Sequence, residues 1–201
     1  QDPHNGTHGY RIRSLYFDTI DDGDYFEKLN GVETRRKIRL RCYDPSGDFA
    51  ILEMKQKQGS RQRKRSIRVT KEDAMHMTRG DYSPLLCYSE DFAAECYGLM
   101  QYRCYRPKTI VEYYRKAYMA KENQIRVTFD NRIVATESCF DLFSPRLLMT
   151  PVLDSSAVVL EVKYNGFLLD YIRQMLNTVD KSELSVSKYT LARYAAYQNK
   201  L

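Results

Sequence analysis

The sequence predicts an α+β fold, antiparallel strands closing into a β-barrel around a basic interior, with inserted and C-terminal helices. Three observations lead there. Four stretches alternate charged and apolar residues with a period of two: Lys37-Ile38-Arg39-Leu40-Arg41, Glu53-Met54-Lys55-Gln56-Lys57, residues 61–68, and Glu161-Val162-Lys163. Successive strand side chains point to opposite faces, so Lys37, Arg39 and Arg41 share one face while Ile38, Leu40 and Cys42 take the other. Second, helical segments are inserted among the strands and appended after them, the α+β arrangement. Third, the polar strand faces carry almost only cations, which would repel one another unless an anionic ligand sat among them. Closing the strands into a barrel removes the edges and encloses those faces.

Residues 1–9 are polar and glycine-containing and read as loop. Residues 10–18, rich in Tyr, Ile and Leu, read as the first strand, and 21–29 as a short helix ended by Asn30-Gly31. Residues 35–43 and 49–57 form two strands around the turn Asp44-Pro45-Ser46-Gly47-Asp48. After a turn at Gly59, residues 62–70 return as a third. Thr70 with Asp73 resembles a capping box for a helix reaching Thr78. Phe92, Ala93, Cys96, Leu99 and Met100 recur at helical spacing and place a helix over 89–101. Residues 109–118 and 124–130 read as a hairpin. The stretch 131–156 is irregular, with one further strand around 133–135 or 140–143. A strand over 157–164 and helices over 170–178 and 187–197 complete the chain.

With 201 residues, 43% of them hydrophobic, the chain is long enough for one domain with a sizeable core. The net charge of +6 favours anionic partners, and its placement is more telling than its size. Between Arg35 and Arg68 stand twelve Lys or Arg against three Asp or Glu, whereas 81–95 is acidic. No apolar run reaches the roughly 18 residues a membrane span needs. No signal peptide is visible, and the start at Gln1 without a Met implies a removed or omitted upstream segment. Five cysteines without a CxxC pair argue against zinc and thioredoxin-type chemistry and for reduced thiols in a cytoplasmic protein. Three histidines, two of them in the first nine residues, are too few for a His-based metal site or a Ser-His-Asp triad. The glycine-rich loop ending in Gly-Lys-Ser/Thr is absent, as are kinase motifs. The seventeen tyrosines are scattered and do not form a stacking platform on the basic face, which argues against nucleic acid.

The candidate site residues follow from strand parity. Lys37, Arg39 and Arg41 form a phosphate-binding face, since guanidinium forks bind phosphate oxygens bidentately. Lys55 and Lys57 share a face with Glu53, and Lys163 shares one with Glu161. Either glutamate suits a hard divalent cation, or a cross-strand salt bridge inside a basic cavity. Arg115 and Arg126 add cations on the later hairpin. Ser187 and Lys188 open the last helix, where backbone N–H groups and a lysine meet an anion.

Together these stretches resemble the VTC domain, the polyphosphate polymerase branch of the triphosphate tunnel metalloenzymes. The resemblance rests on Ser14-Leu15-Tyr16-Phe17-Asp18-Thr19, Arg36-Lys37-Ile38-Arg39-Leu40-Arg41-Cys42-Tyr43, Leu52-Glu53-Met54-Lys55, Tyr113-Tyr114-Arg115-Lys116-Ala117-Tyr118, Arg126-Val127-Thr128-Phe129-Asp130, Leu160-Glu161-Val162-Lys163-Tyr164 and Ser185-Val186-Ser187-Lys188-Tyr189, in the family's order. It implies a tunnel that binds ATP and inorganic polyphosphate. There a divalent metal, Mn²⁺ or Mg²⁺, assists transfer of the terminal phosphoryl group to the chain. Carried over by motif, Arg39, Arg41, Lys55, Arg115, Arg126 and Lys188 contact phosphates, with Ser187 beside them. Tyr113 lines the tunnel near Arg115, and Glu161 is the metal ligand. Lys37, Lys57 and Lys163 extend the substrate contacts. Two other activities share the pattern: a metal-dependent tri- or polyphosphatase, and a non-catalytic polyphosphate-binding accessory domain. The family's opening strand and helix would lie before Gln1, so residues 1–201 are expected to form a single tunnel domain lacking that element.

Overall fold

The computed structural model describes residues 5–6, 9–182 and 185–198. Eight strands form one antiparallel sheet: β1 (Tyr10–Asp18), β2 (Thr34–Cys42), β3 (Phe49–Gln58), β4 (Arg61–Thr70), β5 (Arg106–Met119), β6 (Arg126–Thr136), β7 (Thr150–Pro151) and β8 (Val159–Lys163). Their order is β4-β3-β2-β1-β5-β6-β7, and β8 also pairs with β6. Five helices accompany them: α1 (Gly23–Leu29), α2 (Lys71–Thr78), α3 (Asp91–Tyr102), α4 (Asp170–Asn177) and α5 (Lys188–Gln198).

Strand parity sorts the two faces as the sequence implies. On one side Ile38, Leu40, Cys42, Leu52 and Met54 are fully or almost fully buried. They join Ala74 and Met77 of α2, Leu85 of a short 3-10 turn, and Ala93, Cys96 and Met100 of α3 in the main core. Each large apolar side chain buried there contributes about 1.5–3 kcal/mol. Tyr82 and Tyr105 enter this core without an orphaned hydroxyl: Tyr82 Oη donates to the Tyr105 carbonyl at 2.8 Å, and Tyr105 Oη donates to Asp24 at 2.8 Å. Buried Arg13 donates to Glu112 at 2.6 Å and to the carbonyls of Leu142 and Ser144, which pins the irregular segment after β6 against the sheet.

The expected closure into a barrel is not what the described residues form. The path of ladders ends at β4 on one side and at β7 and β8 on the other, and no pairing joins those ends. The sheet is nevertheless strongly curled. β3 and β8 are five strand steps apart, about 24 Å at roughly 4.8 Å per step if the sheet were flat. Lys55 of β3 nonetheless feels the charges of Lys163 and Glu161 on β8. The edge at β8 has only five residues and ends on Lys163, both of which discourage further pairing.

Several elements differ from the sequence reading. Residues 133–135 are no separate strand but the continuation of β6 past Arg132, which has φ 50°, and 140–143 is not a strand at all. Thr70 caps α2 by accepting from Asp73 N–H at 3.1 Å, while its own N–H donates to Tyr88 Oη instead of completing the box. The start of α1 is capped from a distance. Asp18, at the end of β1, accepts from the N–H groups of Asp24 and Tyr25 at 2.8 and 2.9 Å.

Candidate functional site

The face opposite the main core is concave and carries Lys37, Arg39, Arg41, Glu53, Lys55 and Lys57 on one half and Arg115, Arg126, Glu161 and Lys163 on the other. Register sets the rungs. Lys37 stands opposite Lys55 and Arg39 opposite Glu53 across β2 and β3, and Lys55 stands opposite Lys64 on β4. On the other half Arg115 faces Asp130, while Thr128 faces Glu161 and Arg126 faces Lys163. Ser187 and Lys188 reach this face from the start of α5.

Two buried carboxylates organise the cations. Glu53, only 2% exposed, accepts from Arg39 Nε and Arg41 Nη2 at 2.7 Å each, and Lys64 completes the set. Burial alone would raise its pKa, but these three cations outweigh burial and hold it below the usual glutamate range. Of the two roles left open for Glu53, the structure places it in the salt bridge. Asp130 is fully buried and accepts both prongs of the Arg115 fork, Nε at 2.6 Å and Nη2 at 2.7 Å, and it pairs with Lys188 Nζ at 2.6 Å. Here too burial is overcome, by Arg115 and Lys188, and the carboxyl stays below its ordinary value.

Aromatic rings support the cations from beneath. Tyr113 is buried, with Lys188 Nζ 4.6 Å and the Arg115 guanidinium 5.4 Å from its ring centre. It therefore props the two cations more than it lines open space. Arg39 donates to Tyr16 Oη at 3.2 Å, and Tyr16 stacks on Tyr189 with centroids 5.3 Å apart. Arg126 donates to Tyr10 Oη at 3.2 Å.

Helix α5 is held in place by a second polar layer. Tyr189 Oη donates to Asp18 at 2.5 Å, the same carboxylate that caps α1. Arg193 pairs with Asp22 and, at 2.6 Å, with Glu137. The helix start then spans the concave face: Lys188 bonds Asp130 on β6, while Ser187 Oγ accepts from Lys37 Nζ of β2 at 2.6 Å. Burial, with Arg39, Lys55 and Lys28 adding to it, pushes the Lys37 ammonium down to about 7.

Lys55, Lys57 and Lys163 are less enclosed. Glu161 differs from the other two carboxylates of this face. Its side chain is 44% exposed, 3.2 Å from Lys163 Nζ and 3.9 Å from Arg115 Nη2. Among the described residues no three His, Cys, Asp or Glu gather into a metal cluster. Mg²⁺-like ions take one or two carboxylates and leave the remaining positions to water and substrate phosphates. A lone accessible carboxylate among cations thus fits a metal that arrives on a phosphate ligand, and does not fit a metal held by protein alone.

Sequence reasoning missed Asp130, Lys64, Tyr16 and Tyr189. Asp130 had a usable signal, since it shares parity with Arg126 and Thr128 on one strand. Lys64 is hidden in a basic run: Arg61, Arg63 and Arg65 take the outer face, and Lys64 with Arg68 takes the inner one. Two buried hydroxyls on the concave face, Ser14 Oγ and Thr128 Oγ1, have no protein partner and are available to a polar ligand or water.

The family described as the VTC domain matches residues 1–197. A crystal structure of a protein from Bacillus halodurans, provisionally named an adenylate cyclase, has a similar fold, with a TM-score of 0.50 at 12% identity over 90% of this chain and 83% of that one. No curated protein matches the chain.

Proposed function

This chain belongs to the VTC-domain family, and from that premise we propose that it transfers the terminal phosphoryl group of ATP to a growing inorganic polyphosphate chain along the concave face. The observation that carries the reading is the convergence of cations from β2, β3, β5, β6, β8 and α5 on one face, in clear excess over its three carboxylates. A phosphate-rich ligand balances that excess.

The guanidinium N–H groups of Arg39, Arg41 and Arg115 that Glu53, Tyr16 and Asp130 leave unused meet phosphate oxygens, and Lys55, Arg126 and Lys188 add charge around them. In the transfer, an oxygen of the chain's terminal phosphate forms a bond to the γ-phosphorus, the β–γ bridging P–O bond breaks, and ADP leaves with those electrons. No side-chain nucleophile is needed, so the protein acts by alignment and by neutralising the charge that builds on the transferred group. Bound by Glu161 and the phosphates, Mn²⁺ or Mg²⁺ would supply further neutralisation of the triphosphate and the leaving ADP. Glu53 and Asp130 keep the guanidinium planes fixed before substrate arrives.

Incubation with ATP and Mn²⁺, followed by gel separation, tests the reading. Long chains support it. Free phosphate alone would make water the acceptor and the protein a phosphatase, while tight polyphosphate binding without turnover would make it an accessory domain. Glu161→Gln is expected to abolish metal-dependent turnover and to keep most of the polyphosphate affinity. Turnover that survives the substitution at ordinary Mn²⁺ levels removes Glu161 from the metal site.

A further inference from the structure

The far ends of β2, β3 and β4 enclose a cavity of about 680 Å³ whose lining includes Arg35, Arg36, Lys57, Arg61 and Arg63 and no carboxylate. Register explains its shape. Arg36, Gln56 and Arg63 form one rung on the outer face, and Thr34, Gln58 and Arg61 form the next. Arg35, Lys57 and Gln62 form a rung of the inner face, two residues along from Lys37, Lys55 and Lys64. The cavity therefore wraps the lip of the sheet and continues the basic track of the concave face around to the outside.

Its cations differ from the inner ones in one respect. Arg39, Arg41 and Lys64 share Glu53, and Arg115 and Lys188 share Asp130, whereas no ion pair engages Arg35, Lys57, Arg61 or Arg63 among the described residues. Arg35 spends one N–H on the Val32 carbonyl at 2.7 Å. Lys28 of α1 stands on the same side; its ammonium is lowered by burial, with Arg35 and Lys57 adding to the effect. Three glutamines supply neutral amide donors between the arginines. Uncompensated guanidinium groups spaced along strands, with amides interleaved, recognise an extended phosphate polyanion better than a single compact anion.

We propose that this lip is a second, external phosphate-chain site, which holds the polyphosphate segment extending beyond the concave face. The inference rests on the polyphosphate reading above, and it adds a length dependence. A short chain is satisfied by the inner cations, whereas a long chain also engages Arg61 and Arg63.

The test compares tripolyphosphate with long-chain polyphosphate, in direct binding titrations on the whole chain over a salt series. Arg61 and Arg63 are exposed and ion-pair-free, so the double variant Arg61→Ala/Arg63→Ala should fold, and circular dichroism checks that it does. Losing two contacts should make the salt dependence for the long chain shallower by about 1.4 log units per log unit of salt, taking about 0.7 per contact by analogy with single strands. Long-chain affinity should drop about tenfold at moderate salt and tripolyphosphate affinity should stay within about twofold, with Arg61→Glu giving a larger loss of the same selectivity. Unchanged long-chain affinity, or equal losses for both ligands, overturns the external site and leaves the function reading standing. A wild type that binds neither ligand overturns both. Single-stranded DNA bound as tightly as polyphosphate, and lost equally in the variant, would make the lip a nucleic-acid site instead.

Discussion

Glu53 collects its cations within one meander: Arg39 and Arg41 lie 14 and 12 residues away on β2, and Lys64 sits on the next strand. Asp130 takes Arg115 from the neighbouring strand but Lys188 from a helix near the other end of the chain. Both carboxylates are buried and both hold guanidinium groups on the concave face, yet one centre is assembled by adjacent turns and the other by docking α5. The first should persist as long as the β2–β4 meander does. The second is only as well formed as the seat of α5, which depends on Asp18, Asp22 and Glu137. A phosphate site built from both halves thus has one locally determined wall and one that a remote substitution can move.

The largest separation between the two should appear in stability. Glu53→Ala leaves three cations facing one another without a counter-charge and should cost about 3–5 kcal/mol in urea unfolding. Asp130→Asn keeps a hydrogen-bond acceptor, and α5 retains its contacts with Asp18, Asp22 and Glu137, so a loss of about 1–3 kcal/mol is expected. Equal losses would show that the meander lends Glu53 no special weight.

Lys37 ties the halves together through Ser187, and its depressed pKa makes a signed prediction. A bound phosphate favours the charged ammonium, so affinity for tripolyphosphate should fall as pH rises above about 7, by at most about tenfold per unit. Without ligand the sign reverses. The unfolded lysine, with its pKa of 10.5, binds more protons than the folded one, so this group makes the free protein more stable as pH rises from about 7 to 10.5. Lys37→Arg should flatten both trends, since arginine stays charged throughout. A pH dependence of binding that survives this substitution places the titrating group elsewhere.

The smallest effect tests the seat of α5 directly. Tyr189→Phe removes one hydrogen bond to Asp18, keeps the ring stacked on Tyr16, and should cost about 0.5–1.5 kcal/mol. If the second wall depends on that seat, phosphate affinity should fall further when Arg126 is intact than when it is already Ala. Strict additivity of the two substitutions would detach α5 from that wall.

Much of this was legible beforehand, residue by residue. Arg39, Arg41, Lys55, Arg115, Arg126, Glu161 and Lys163 were selected by strand parity or by motif, and all lie on one face. The bounds of β1 are those expected, and β2, β3 and β4 begin or end within a residue of expectation. The region after Asp130 was opaque for a physical reason. Arg132 adopts a left-handed backbone that breaks the alternation in mid-strand, and the segment beyond it is anchored by Arg13, a residue of β1. Tyr113 looked like a tunnel-lining ring and proved to be a buried prop, because nothing local distinguishes a ring beneath two cations from one beside open space.

What the sequence by itself determined is which side chains share a face, since alternation follows from the covalent geometry of an extended chain and survives any global arrangement. It also determined that one face would be apolar enough to bury under helices. Only the tertiary structure decided that the sheet curls without a ladder joining its ends, and that Glu53 and Asp130 are charge hubs while Glu161 stays accessible. Those outcomes depend on which cations reach each carboxylate through space, and burial magnifies differences in reach that residue spacing does not encode.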